Sequence, residues 1–161
     1  MTDDEHLFNA WFVEPLSALS ELPGGNGGFI ALATACFLYE RYAVSLLVKQ
    51  GSRAGARELV AQLASDFGVD LPTATAFWKV IRDGILHQAM PLQQQRGERL
   101  PKWAFDHKYP AMALGTANGE PILKVQPWKF MERVLQLWRS DLSMLRASGS
   151  FPWARLGEAP E

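Results

Sequence analysis

"FWKVIRDGILHQAMP", residues Phe77–Pro91, is the stretch on which the reading of this chain turns. On a helix, at about 100° per residue, Phe77, Trp78, Ile81 and Ile85 gather on one side and form a core stripe. Arg82, Asp83 and His87 fall outside that stripe, with Asp83 nearly opposite it. Leu86 and Met90 lie on the same outer side, between Arg82 and His87. A solvated face has little use for a leucine and a methionine there, so the pattern predicts a second burial event. The covering partner is another part of the chain, such as residues 93–126, or a second copy of it. Gly84 fits that expectation, because mid-helix glycine costs about 1 kcal/mol relative to alanine and admits a closely approaching backbone. Gly84, Leu86 and Met90 are therefore the expected interface residues.

Working outward, helical spacing recurs on both sides. A helical region over residues 1–22 carries Leu7, Trp11, Leu16 and Leu19, with a bend expected at Pro15. "PGGNGG" breaks the chain, and Phe29–Gln50 follows, apolar on nearly every side as a central buried helix would be. Residues 53–67 place Leu59, Val60, Leu63 and Phe67 at helical spacing, with Ser52 as the expected N-cap. Pro72 suits the first turn of the next helix. The run "YPAMALGTANGEPILKV" changes character: two short apolar segments flank Asn-Gly, a hairpin signal. Helical spacing then returns through Phe130, Val134, Leu137, Trp138, Leu142 and Leu145. After Gly149 a loose tail, residues 149–161, offers Phe151 and Trp153 as anchors. The expected fold class is all-α: one domain over residues 1–161, a four- to five-helix bundle with a small inserted β-hairpin near residues 109–126.

Composition narrows the function. With 161 residues, 48% hydrophobic and 20% charged, the chain suits one globular domain with a core of its own. Its single cysteine, Cys36, forms no internal disulfide, which favours a reducing compartment. "MTDDEH" is acidic where a secretory leader is basic. The longest apolar run stops at Glu40 and Arg41, short of the roughly 20 residues of a membrane span. These features predict a cytoplasmic protein with no membrane segment. The net charge of −1 conceals an imbalance. Residues 1–28 hold five acids and no lysine or arginine, whereas residues 29–157 hold 16 basic against 10 acidic side chains. That excess permits a polyanionic partner.

The trio Arg82, Asp83 and His87 is the candidate chemistry. Five residues separate Arg82 from His87, so within one protomer they leave the helix about 140° apart, whereas two antiparallel copies would bring two of each to one groove. Asp83 can bond the imidazole four residues on and favour its protonated form, or it can pair with Lys79 one turn back. "RDGILH" resembles the Arg-x4-6-His motif of the HEPN (higher eukaryotes and prokaryotes nucleotide-binding) superfamily, with a polar residue directly after the arginine. The resemblance extends to the motif's place, late on an apolar helix of a small bundle, and is clearest over about residues 29–90. It implies a homodimer whose paired motifs cut RNA without a metal or cofactor, as a toxin or defence component facing a cognate antitoxin. His87 would be the general acid or base and Arg82 would stabilise charge on the scissile phosphate. Asp83 would orient the imidazole. Arg41, Arg96, Arg99 and Lys102 are the candidate phosphate contacts. The alternative is a non-catalytic helical binding or adaptor module for a nucleotide or a protein partner.

Other chemistry lacks a pattern. His6, His87 and His107 have no metal-ligand spacing, so no metal is expected. "PGGNGG" lacks the Lys-Ser/Thr of a phosphate-binding loop, and Cys36 has no base nearby in sequence. A DNA-reading helix would need more positive charge than Lys79 and Arg82 against Asp83. Trp11, Trp78 and Trp138 read as core, while Trp103 and Trp128 stand beside loops.

Overall fold

A computed structural model describes residues 3–144; Leu145, Phe151, Trp153 and the expected tail lie outside them. Helix α1 (Asp3–Phe8) runs through a π turn (Asn9–Val13) into α2 (Glu14–Ser20) and seats Phe8 and Leu16 in the core. A short 3-10 turn (Pro23–Gly25) leads to α3 (Gly28–Lys49), which buries Leu32, Ala35, Cys36, Tyr39 and Tyr42. By length and hydropathy α3 passes for a membrane span, a test the apolar run alone had been expected to fail, and 56% of that window is buried within the fold. Helix α4 (Ala56–Phe67) begins at Gly55, with no side-chain cap, rather than at Ser52. Helix α5 (Leu71–Phe77) is capped by Asp70, whose Oδ1 accepts the Thr73 N–H at 2.9 Å, and Pro72 takes its place in the first turn.

Helix α7 (Pro127–Ser140) lies alongside α3 and parallel to it. Gly28 faces Pro127 at one end, Trp138 Nε1 donates to the Leu38 carbonyl at 3.0 Å, and Lys49 pairs with Asp141 at 2.7 Å at the other. Phe130 from α7 stacks on Phe67 and Phe77 with ring centroids 4.8 and 4.7 Å apart. Tyr39 meets Phe67 edge-on at 5.7 Å. These rings join α3, α4, α5 and α7 into one aromatic core, and such pairs add about 0.5–1.5 kcal/mol each beyond their buried area.

The strands overturn the all-α expectation: the fold is mixed, mostly helical with a three-stranded sheet. Strands β1 (Gln94–Gln95) and β2 (Glu98–Arg99) form a ribbon closed by Arg96 and Gly97, both at positive φ. Strands β4 (Met112–Ala117) and β5 (Glu120–Val125) form the Asn-Gly hairpin, Asn118 at φ 53° and Gly119 at 77°, as a type I′ turn requires. The hairpin is not an isolated insertion. Strand β3 (Lys102–Phe105) pairs in parallel with β5, Lys102 opposite Ile122 and Phe105 opposite Val125, so the sheet order is β3-β5-β4. One sheet face buries Met112, Leu123 and Val125, and the sheet lies against α5. A four-residue strand with its partner some twenty residues downstream carries too little periodicity to be read from sequence.

Candidate functional site

The helix that begins as α5 does not stay regular. At Trp78–Arg82 it widens into a π turn, the Asp83 N–H donating to the Trp78 carbonyl, and then continues as α6 (Asp83–Gln88). One extra residue in a turn rotates everything beyond it back by about 100°. Thr75, Lys79, Arg82, Asp83 and His87 all line one groove, of about 700 Å³. Arg57 at the start of α4 forms the facing wall, and Arg96 and Glu98 of the β1–β2 ribbon close the end.

Arg82 is held from three sides. Nε donates to Glu40 Oε2 at 3.1 Å, Nη2 to Glu40 Oε1, and Nη1 to Asp83 Oδ1 at 2.7 Å. Its guanidinium also lies over the Trp78 ring, 4.8 Å from the centroid. Planar fork-on-carboxylate pairing of this kind is both directional and strong. Burial pulls the Arg82 pKa down, but the bonds to Asp83 and Glu40 and their charges outweigh it, so the group sits above its ordinary value. Asp83, expected to face His87 or Lys79, is engaged by its own neighbour, a pairing neither expectation contained. Lys79 reaches Glu98 at 3.8 Å. His87 is exposed at the groove's edge.

The expected residues therefore separate. Arg82, Asp83, His87 and Arg96 share the groove. Arg41 is half-buried on α3 and does not line it. Arg99 and Lys102 both pair with Glu120 on the sheet, Arg99 at 3.5 Å, and their hydrogen bond and charges hold that carboxyl below its usual range. Gly84 is closed over by its own chain. A Cβ there would stand 2.5 Å from the Leu92 nitrogen and from the Met90 oxygen, and the Leu92 N–H donates to the Val80 carbonyl at 2.8 Å. Leu86 is half-buried and Met90 is 54% exposed.

Three contributors were not anticipated. Glu40 entered the sequence reading only as a charge ending the apolar run of α3, and in the structure it pairs with Arg82. Arg57 lies in the first turn of α4, where nothing in the spacing points to the groove. Trp78 was read as core, and it is buried, but it also braces the guanidinium. Among the described residues no group of three or more His, Cys, Asp or Glu gathers as a metal site. No protein-family model matches the chain, and neither does a curated protein or a solved structure.

Proposed function

We propose that this chain is an HEPN-like, metal-independent endoribonuclease acting as a homodimer in the cytoplasm. The observation that carries the reading is the meeting of Arg82 and His87 in one groove with Arg57, Lys79 and Arg96. Such a groove attracts a phosphodiester backbone, and RNA brings its own nucleophile. The 2′-hydroxyl attacks phosphorus, forming the 2′-O–P bond while the P–O5′ bond breaks, which leaves a 2′,3′-cyclic phosphate and a 5′-hydroxyl. His87 removes the 2′ proton or supplies one to the departing 5′ oxygen. Arg82 has two N–H groups beyond the three engaged by Glu40 and Asp83, and these face the charge that develops on the non-bridging oxygens.

The homodimer draws support from α3. Its outer side leaves Ile30, Phe37 and Val48 more than half exposed in one line, with Val44 between them. Glu40, the anchor of Arg82, borders that line, so a second copy seated there would bring its own Arg82 close to the first. Toxin or defence work against a cognate antitoxin remains the biological setting this reading proposes.

A second reading rests on the state of Arg82. With two carboxylates already on its guanidinium, the groove also suits a module that holds a nucleotide or a partner's acidic group without cutting. The His87→Ala variant separates the two. A ribonuclease loses cleavage of a broad RNA panel in EDTA while its fold and RNA binding persist. Cleavage that survives in His87→Ala removes that residue from the mechanism, and wild-type protein that binds RNA without cutting it favours the binding module.

A further inference from the structure

A second cavity, of about 490 Å³, opens where the glycine-rich turn meets the sheet and the start of α7. That volume lies in the range of small-molecule sites. Its walls carry three half-buried aromatic rings, Phe29, Phe105 and Trp128, with Phe29 and Phe105 centroids 6.4 Å apart. Asn26, Asp106 and His107 bring polar atoms into the same walls. Aromatic faces stack on any base, and amide, carboxylate and imidazole groups can read its edge.

The surroundings are cationic. His107 belongs to the loop 106–109, whose far end is pinned by two lysines. Lys124 Nζ lies 5.5 Å from the centroid of the Tyr109 ring, and Lys129 Nζ donates to the Tyr109 carbonyl at 3.1 Å. Lys108 directly follows His107 and Lys129 directly follows Trp128, so two lysines adjoin residues of the wall, against Asp106 within it. The chain also links this cavity to the Arg82 groove. Glu98 lines the groove and Phe105 the cavity, and the seven Cα-to-Cα steps from one to the other span at most about 25 Å, with Arg99 and Lys102 along the way.

We infer that this aromatic cavity is a nucleobase-binding subsite, taking one unpaired base of the same RNA strand whose backbone lies in the Arg82 groove. The inference rests on the ribonuclease-like reading for its ligand but not on cleavage. A protein segment in the cavity would need little of this positive charge, so single-stranded RNA is the occupant the chemistry favours.

The test uses fluorescence anisotropy with 2′-O-methyl oligoadenylates, which bind but cannot be cut, from a dinucleotide to about 16 nucleotides, the range of single-strand sites. Trp128→Leu weakens the long oligomers about tenfold, the loss of one stacked base, and leaves the dinucleotide unchanged, while Trp128→Tyr restores binding. Should Trp128→Leu fold poorly, the exposed pair Lys108→Ala with Lys129→Ala reports instead, lowering the salt slope of long-oligomer binding by about two. Long oligomers bound within twofold of wild type by Trp128→Leu, or a salt slope unmoved by the lysine pair, overturn the subsite and leave the groove intact. Wild-type protein that binds none of these RNAs overturns both readings.

Discussion

Glu40→Gln tests whether the grip on Arg82 is structural, because it keeps the side chain's size and removes its charge. Breaking one partner of a fully buried pair costs about 3–5 kcal/mol, whereas an exposed pair contributes about 0–1 kcal/mol. Arg82 at 18% and Glu40 at 27% exposure lie between these limits. Asp83 still holds Nη1 in the variant, so the expected loss is about 2 kcal/mol, midway between those limits. For a chain of this length, that lowers Tm by about 4–8 °C. A double-mutant cycle with Arg82→Gln, read by urea unfolding followed through tryptophan fluorescence, isolates the pair from the general effect of each change. Asp83 is present in all four proteins, so its share cancels. A coupling energy under about 0.5 kcal/mol, the scatter expected of independent sites, would mean that the fork seen here does not hold in solution.

Three further outcomes follow from the same geometry. Gly84→Ala loses about 1–3 kcal/mol to overpacking despite alanine's helix preference, because the new methyl meets the backbone of Met90–Leu92; a higher urea midpoint would contradict the close approach. Phe37→Asp, placed on the bare line of α3, converts a dimer to a monomer in analytical ultracentrifugation with helicity unchanged, and an unaltered sedimentation coefficient would move the interface elsewhere. Burial raises the Asp66 carboxyl above the ordinary carboxylate value of 3.8, although bonds from Tyr39 Oη at 3.0 Å and Gln62 Nε2 at 2.9 Å oppose the shift. The folded state then binds more protons than the unfolded one between the two values, so this group's contribution to stability is full below 3.8 and is lost as pH rises through its folded pKa. Asp66→Asn flattens Tm against pH in that window, and an unchanged slope would show the carboxyl to be unperturbed.

Much of the helical layout was legible because apolar spacing and breakers are local signals. The central helix, α4, Pro72 at the start of α5 and the Asn118-Gly119 turn all follow from residues within a few positions of one another. What the sequence concealed was nonlocal. Lys102–Phe105 becomes a strand only because Ile122–Val125 lies beside it, and Arg96-Gly97 sits in so polar a run that no ribbon stands out. The site divides in the same way. Arg82 and His87 were visible as unusual residues on an apolar helix, but an ideal helix set them apart. The π turn closes at Asp83 and so leaves the angle between them unchanged; what no residue pattern shows is that a single groove is lined by both. Arg99 and Lys102 looked available from charge alone, and only the sheet register reveals Glu120 between them.

The strand order has a consequence for how the protein is made. β5 is the middle strand and the last of the three to leave the ribosome, so β3 and β4 have no neighbour to bond until residue 125 has emerged. Helix α7, which covers the tryptophan-binding side of α3, comes later still. Throughout that interval an apolar helix of 22 residues stands without its cover, the kind of exposed surface on which nascent chains aggregate or recruit chaperones. Emergence of Ser140 therefore ends the vulnerable stage, and a chain released after β5 but before that point would have its sheet complete and α3 still uncovered.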